Sequence, residues 1–209
     1  MTNTIISKRV DGHPGWIADT GLREAIGNFA IGVGSVTKQH VVLDIHISTG
    51  CIGRELKKTG AKVIAVDPHR AAGVSPNRGT SGIRRPDCGR TTPGLDLSLG
   101  DRSVDVVFMD LVLHHFQTPS LAIAEAKRVL KPGGRLVITD IQKYNHAGAS
   151  EAPEDRWMGL YPGDIRHWLK SEGFSNIIVN PVPVRHIGFD PAGPDNNRPA
   201  EYLMATGTA

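Results

Sequence analysis

The feature that most constrains the fold is a strand–helix–strand block in the middle of the chain. "VDVVFMD" (Val104–Asp110) is apolar at almost every position, which is typical of a strand covered on both faces. A helix pattern follows, with Thr118 as its N-cap and Pro119 at its first position. "KPGG" (Lys131–Gly134) ends that helix and leads into the strand "RLVITDI" (Arg135–Ile141). The block predicts two parallel strands joined by a helical crossover.

The same alternation begins earlier in the chain. Val41–Ile45 reads as a strand, and Ile52 and Leu56 then fall one helical turn apart before a helix stop at Gly60. Lys62–Asp67 is predicted as the second strand. The crossover helix of the middle block is expected to bury one face, formed by Ala122, Ile123, Ala126, Val129 and Leu130.

A helix and two strands are predicted near the C-terminus. The helix opens at Pro162 or Gly163, carries apolar residues at one-turn spacing and stops at Gly173; those residues are Ile165, Trp168 and Leu169. "SNIIVN" and "EYLMATG" are expected to form a closing pair of strands. Together these elements predict an α/β domain with a mostly parallel sheet covered by helices on both faces.

Three stretches do not fit the alternation. Pro68–Arg102 is rich in glycine, proline and arginine, and only a weak strand near Ile83 can be placed in it. Val182–Pro199 reads as a long proline-rich loop. Residues 1–38 precede the sheet and are expected to be partly helical, as a cap segment over the mouth of the site.

Length and composition bound the class of protein. The 209 residues fit a single domain, and 39% hydrophobic with 22% charged residues indicates a globular chain. The net charge of +3 does not require a nucleic acid partner. The two cysteines, Cys51 and Cys88, form neither a disulfide framework nor a zinc motif, so no metal is expected. Without a signal-peptide pattern or a membrane-length apolar run, the expected location is cytoplasmic.

The order of these elements resembles the class I S-adenosylmethionine-dependent methyltransferases, over roughly residues 40–207. The resemblance is most specific in "SVDVVFMDLVLHHFQTPSLAIAEAKRVLKPGGRLVITD", where a strand, a histidine-containing loop and a helix ending in Leu-Lys-Pro-Gly-Gly precede the next strand. It implies a Rossmann-like sheet of seven strands in the order 3-2-1-4-5-7-6, with the last-added strand antiparallel. It also implies S-adenosylmethionine as the cofactor.

The family's cofactor loop carries an acid followed by glycine at every second position. In "DIHISTGCIG", Asp44 matches the acid and Gly50 the third glycine, while His46 and Ser48 stand at the first two. Glycine permits positive φ and leaves room for a ligand beside the backbone. The His46 ring therefore either enters the cofactor pocket or turns away from it. The loop binds the cofactor in one interpretation and is only a strand-to-helix turn in the other.

Further positions follow from the resemblance. An acid after the second strand accepts hydrogen bonds from ribose hydroxyls in this family, which implies that role for Asp67, although Asp67 could instead only cap a helix before Pro68. An acid after the third strand lies near the adenine, and Asp87 is the candidate. The full set of implied cofactor residues is Asp44, His46, Ser48, Thr49, Gly50, Asp67, Pro68, Asp87, Asp110 and Leu111.

Two histidines follow the strand that ends at Asp110. His114 and His115 are the catalytic candidates, because a general base is needed when the acceptor must lose a proton. Adjacent residues point in different directions, so at most one is expected to face the pocket, and His115 is the better candidate. The alternative is that both histidines make structural hydrogen bonds.

Aromatic and basic residues could contact the acceptor. One interpretation places Trp157, Met158 and Tyr161 in an acceptor pocket or a lid, and the other places them in the core or an interface. A basic cluster could hold an anionic acceptor or a nucleic acid phosphate, but a solvated loop is favoured because no aromatic residue interleaves for base stacking. The cluster comprises His69, Arg70, Arg78, Arg84, Arg85 and Arg90. We therefore expect a small-molecule substrate, no nucleic acid and no membrane, with a homodimer left open.

Three functions remain open on the sequence. The first is methyl transfer to a small-molecule acceptor. The second is a methyltransferase-fold protein that has lost its cofactor and acts as a binding or assembly partner, suggested by His46 and Ser48. The third is a nicotinamide-dependent oxidoreductase, because Ser48, Gly50 and Gly53 imitate a Gly-x-Gly-x-x-Gly loop with one substitution. The missing Tyr-x-x-x-Lys pair counts against the third.

Overall fold

A computed structural model describes residues 20–46, 51–66, 68, 95–143, 159–186 and 200–209. The helices are α1 (Thr20–Gly34), α2 (Cys51–Lys58), α3 (Pro119–Val129) and α4 (Pro162–Ser171), with a short 3-10 turn at Leu113–His115. The strands are β1 (Val41–His46), β2 (Lys62–Val66), β3 (Val104–Asp110), β4 (Leu130–Ile141), β5 (Ser175–His186) and β6 (Ala200–Thr208).

The described strands form one mixed sheet in the order β2-β1-β3-β4-β6-β5. The first four strands in this order, β2, β1, β3 and β4, are parallel to one another, and β6 is antiparallel to both β4 and β5. The predicted α/β class and the antiparallel last strand are confirmed. The observed order equals the expected order 3-2-1-4-5-7-6 without strand 3. The sequence predicts that strand within Pro68–Arg102, and most of this segment lies outside the described residues.

Alternation along the strands produces two cores, one on each face of the sheet. On one face, Leu43, Val107 and Ile138 pack with α3 and α4, which bury Ala122, Ile123, Ala126, Val129, Ile165 and Leu169. On the other, Val42, Phe108 and Tyr202 pack with α1 and α2. The predicted buried face of the crossover helix is therefore confirmed for Ala122, Ile123, Ala126 and Val129, whereas Leu130 is buried as the first residue of β4.

The described part of the N-terminal segment covers a sheet face. Helix α1 buries Ile26 and Ala30 in the core that Phe108 and Ile52 also form. A Cβ on Gly34 would come within 2.8 Å of the Phe108 ring, so the end of α1 lies tight against β3. This helix thus belongs to the core, whereas residues 1–19 of the predicted cap lie outside the described residues.

The prediction of a loop from Val182 to Pro199 is wrong at its start, because β5 continues to His186. Arg185 and His186 pair with Glu201 and Ala200, and the register shifts between Pro181 and Arg185. Proline cannot donate to a ladder, but an edge strand pairs on one side only and tolerates it, especially beside a register shift. Strand β5 is such an edge strand, which is why its prolines do not end it.

Candidate active site

The sheet has its topological switch point between β1 and β3. From β1 the chain passes through α2 to β2 on one side of the sheet, and β3 lies on the other side of β1. Open parallel sheets bind ligands in the crevice that such a reversal leaves at the carboxyl ends of the strands. Asp44 and His46 end β1 and Asp110 ends β3, with His46 in register with Asp110. The structure therefore brings three predicted site residues together near the carboxyl ends of two neighbouring strands, where such a crevice is expected.

Asp44 is a fully buried carboxylate at this crevice. Its side chain is 0% exposed, and neither of its oxygens accepts a hydrogen bond from the described part of the chain. A buried charge costs several kcal/mol, roughly, unless it is paired. Gly53 of α2 lies directly against this group, since a Cβ there would be 2.7 Å from Oδ2 of Asp44. The missing side chain at Gly53 thus makes the space in which the carboxylate sits.

The His46 ring turns inward, back along its own strand. Its Nδ1 lies 3.2 Å from Oδ2 of Asp44, and its side chain is 14% exposed. The distance qualifies as an ion pair when the imidazole is protonated, yet the contact does not meet hydrogen-bond geometry. We regard it as a charge contact, because its strength depends on protonation rather than on direction. The residue at the family's first glycine position therefore contacts the family's acid.

Asp110 is a second buried carboxylate on the same sheet face. The Oγ1 of Thr139 donates a hydrogen bond of 2.7 Å to its Oδ1. The next residue, Leu111, has φ of +50°, and its N–H donates to the carbonyl of Thr139 at 2.9 Å. A positive φ at a branched residue is strained and persists only when its surroundings hold it. The chain thus turns sharply out of β3 where the crevice begins.

Asp140 organises the turn that carries the two histidines, on the opposite sheet face. Its carboxylate accepts hydrogen bonds from the backbone N–H groups of Leu113, His114 and Ile141 at 3.0, 3.3 and 2.7 Å. The Nδ1 of His114 lies 2.6 Å from its Oδ1. An ionised carboxylate only accepts, so Nδ1 carries the proton of this bond. Asp140 therefore fixes both the backbone and the ring of His114.

The environments of the two histidines differ. His114 is 3% exposed, whereas His115 is partly exposed, and their ring centroids are 4.0 Å apart. The alternative that the histidines make structural hydrogen bonds fits His114, because its ring is hydrogen-bonded to the buried Asp140 carboxylate. His115 keeps partial access to solvent, as a general base for an external acceptor requires. Its assignment as a base stays a prediction.

The remaining predicted site residues are only partly placed. Pro68 is buried, and Tyr161 is an exposed residue at the start of α4, with the Lys143 ammonium 4.9 Å from its ring centroid. The others lie outside the described residues: Ser48, Thr49, Gly50, Asp67, Asp87, Trp157, Met158 and the basic cluster from His69 to Arg90.

Sequence reasoning missed three residues of the site. Thr139 and Asp140 are adjacent, and their side chains serve opposite faces of the sheet because strand residues alternate. The polar pair "TD" at the end of the apolar run "RLVI" was the available indication, since polar residues at a strand's carboxyl end lie at the ligand edge. The sequence pattern places Gly53 in a glycine loop, whereas in the structure it lies in α2 and leaves room for the Asp44 carboxylate.

Clusters of metal-ligating side chains and membrane-spanning helices are both absent from the described ranges. No group of three or more histidine, cysteine or acidic side chains is arranged to hold a metal ion in those ranges. Within the same ranges, no helix has the length and apolar character needed to cross a membrane.

Comparison with known families gives a match over the centre of the chain. Residues 43–138 match the model of the methyltransferase domain family. The chain is 34% identical over 125 residues to a demethylmenaquinone methyltransferase of Tropheryma whipplei, which covers 56% of this chain and 47% of that relative. A tRNA U34 carboxymethyltransferase of Hydrogenovibrio crunogenus is 30% identical over 106 residues, covering 47% of this chain and 30% of the relative. The chain thus spans half or less of the length of these two relatives.

A solved structure shares the fold over nearly the whole chain. It is the 1,6-didemethyltoxoflavin-N1-methyltransferase of Burkholderia thailandensis, with bound 1,6-didemethyltoxoflavin and S-adenosylhomocysteine. Its TM-score is 0.62 at 19% identity, and the alignment covers 92% of this chain and 80% of the other. The strand order, the match to the domain model and the named relatives agree with one another. Residues 43–138 thus match the methyltransferase domain family, and the described chain has the fold of S-adenosylmethionine-dependent methyltransferases.

Proposed function

We propose that the protein transfers a methyl group from S-adenosylmethionine to a small-molecule acceptor. The observation that carries this proposal is the buried Asp44 carboxylate at the switch-point crevice, whose oxygens accept no hydrogen bond from the described residues. Burying a charge without such partners is unfavourable, so a cationic or hydrogen-bond-donating ligand would relieve the cost. S-adenosylmethionine fits because it carries both an ammonium and a sulfonium group.

The residues that would hold the cofactor follow the edge of the sheet. Asp44 would bind its cationic end, and Asp110 with Leu111 would border it at the end of β3. Asp67 would accept the ribose hydroxyls and Asp87 would lie near the adenine; both assignments are inferred from the family pattern. Ser48, Thr49 and Gly50 would supply the loop before α2. These roles are proposals for the individual residues.

The chain's own groups would contribute mainly binding and positioning. When bound, S-adenosylmethionine supplies a methyl group on a positively charged sulphur that an in-line nucleophile can attack. Asp44 and Asp110 are buried carboxylates near the ends of two neighbouring strands, and they would favour binding of the positively charged cofactor. His115 would take the proton from an acceptor that must lose one, while Asp140 holds the adjacent His114 and so fixes the turn.

The acceptor class is part of the proposal. One relative is named for a menaquinone precursor and another for tRNA, so the relatives do not agree on an acceptor class. We favour a small molecule, because the basic cluster has no interleaved aromatic residues for base stacking. Transfer of a labelled methyl group to bulk tRNA, with none to a small-molecule extract, would reverse this choice. A homodimer stays a prediction that sedimentation velocity can test.

The deciding experiment is calorimetric titration with S-adenosylmethionine and S-adenosylhomocysteine. We expect both to bind, and Asp44→Asn to weaken binding about tenfold or more, the equivalent of one lost charge contact of about 1.4 kcal/mol. Asp164→Asn, at an exposed position on α4, is the control and should bind like the wild type. A folded wild-type protein that binds neither compound would overturn the proposal and support the alternative of a fold that has lost its cofactor.

A further inference from the structure

The contact between Asp44 and His46 places a titratable group at the proposed cation site. Both residues lie on one face of β1, two positions apart, with 3.2 Å between Nδ1 and Oδ2. In the usual family loop a glycine stands at this position and brings no charge. A protonated imidazole compensates the Asp44 carboxylate, whereas a neutral imidazole leaves the carboxylate able to attract another cation.

The other charged side chains described near this pair do not compensate the Asp44 carboxylate in place of His46. Asp110, in register with His46 on β3, is itself a carboxylate and accepts a hydrogen bond from Thr139. On α2, Gly53 faces Asp44, and Glu55 bonds the Lys58 ammonium at 2.7 Å. The Glu24 side chain of α1 is exposed. Among the side chains that the structure describes, His46 is thus the group able to carry positive charge within ion-pair distance of Asp44.

We infer that His46 is a charge-selective residue of the cofactor site, whose imidazolium competes with a cationic ligand for Asp44. This inference rests on the proposed function. A ligand ammonium or sulfonium that approaches Asp44 favours the neutral imidazole, because two cations beside one carboxylate repel each other. Binding therefore releases a proton from His46.

The sign of the pH dependence follows from this competition. At low pH the imidazole is protonated in the free protein, so a cationic ligand must displace the proton and binds weakly. Affinity rises with pH and levels off once the imidazole is neutral before binding. An ordinary imidazole titrates near pH 6.5, roughly, and release of one proton changes affinity by at most about tenfold per pH unit.

The same competition gives selectivity between the cofactor and its product. S-adenosylmethionine carries a sulfonium that S-adenosylhomocysteine lacks, so a protonated His46 penalises the cofactor more. The ratio of the two affinities should therefore shift toward S-adenosylmethionine as pH rises. Substitution of the imidazole should flatten this shift.

The experiment is calorimetric titration of the full chain with both compounds, from about pH 5 to about pH 7.5, where histidine titrates. Each titration is run in two buffers of different ionisation enthalpy, which counts the protons released. Wild type should release up to one proton for each S-adenosylmethionine bound at the acid end. His46→Asn and His46→Gly should release markedly fewer, and the exposed control His167→Asn should match the wild type.

Protons released by the ligand itself are the same for the wild type and the variants, so they cancel in the difference between their proton counts. Binding by the wild type without proton release, or full release by both His46 variants, would overturn this inference and leave the proposed function standing. Absence of binding by the wild type at every pH would overturn both. If one of the two His46 variants fails to fold, the other decides, because full proton release by that folded variant would overturn the assignment of the proton to His46.

Discussion

Gly53 and Asp44 fit together so closely that a Cβ on Gly53 would lie 2.7 Å from Oδ2 of Asp44. Real Cβ atoms do not approach other atoms this closely, so a side chain at position 53 must displace the carboxylate or the helix. Alanine is otherwise favoured over glycine in a helix, by about 1 kcal/mol. Gly53 therefore leaves room for the Asp44 carboxylate, although alanine would stabilise the helix more.

We expect Gly53→Ala to weaken S-adenosylmethionine binding about tenfold, because the displaced Asp44 loses its position at the crevice. Calorimetric titration measures the change. Gly32→Ala is the matched control: it is also a helix glycine, and a Cβ there meets nothing within 4 Å. Equal affinities of the two variants would contradict the placement role of Gly53.

A second prediction concerns the buried hydrogen bonds that the Asp140 carboxylate accepts. The Asp140 carboxylate accepts hydrogen bonds from several N–H groups at a fully buried position. In Asp140→Asn, an amide NH2 replaces one of the accepting oxygens and therefore faces N–H donors. We expect the free energy of unfolding to fall by about 3 kcal/mol. Urea denaturation measures it, with Asp164→Asn as an exposed control expected to cost less than about 1 kcal/mol. If Asp140→Asn lowers the free energy of unfolding no more than the control does, the hydrogen bonds to Asp140 add little stability.

Elements with local patterns were predicted well from the sequence. The run from Val104 to Asp110 became β3 at the predicted bounds, and Pro119 opens α3. Apolar periodicity and a proline at the first helical position act within a few residues, so these elements can be predicted without knowledge of their tertiary contacts. The strand order, by contrast, came from the family resemblance rather than from the periodicity.

Contacts between distant residues could not be predicted in the same way. The bond between His114 and Asp140 joins positions 26 residues apart, and it exists because β3 and β4 are neighbours in register. The direction of the His46 ring depends on space that Gly53 leaves beside Asp44. The extension of β5 to His186 depends on its partner β6. Each is a consequence of packing that no local pattern encodes.

A third prediction concerns stability in acid. Burial raises the pKa of Glu125, but hydrogen bonds from Arg128 and from the backbone N–H of Leu97 outweigh it, so the pKa lies below its ordinary 4.5. A carboxyl whose folded pKa is lowered stabilises the protein when ionised, and that contribution is lost as pH falls below 4.5 and through the lower folded value.

Glu125→Gln should therefore lower the free energy of unfolding at neutral pH by about 1–2 kcal/mol and have a smaller effect in acid. Denaturant titrations from neutral pH to about pH 3 measure the difference from the wild type. Glu24→Gln, on the exposed side of α1, should follow the wild-type curve. A constant difference between Glu125→Gln and the wild type at all pH values would refute the linkage.

The last prediction concerns the hydrogen bond between Thr139 and Asp110, which joins β4 to β3 at the crevice. A double-mutant cycle of Thr139→Val and Asp110→Asn isolates it, because valine keeps the shape of threonine and removes the hydroxyl. We expect a coupling energy of about 1–2 kcal/mol in urea denaturation, since donor and acceptor are both buried and the acceptor is charged.

The control cycle uses the exposed bond from Arg135 to the Ser35 hydroxyl, also 2.7 Å long, with Arg135→Ala and Ser35→Ala. Solvent competes for both of those groups, so its coupling should stay below about 0.5 kcal/mol. Similar couplings in the two cycles would mean that burial does not strengthen the Thr139 bond. If the buried coupling is larger, Thr139 holds the Asp110 carboxylate in place, and Thr139→Val should also weaken S-adenosylmethionine binding, by a smaller factor than Asp44→Asn, because the Asp110 charge itself remains.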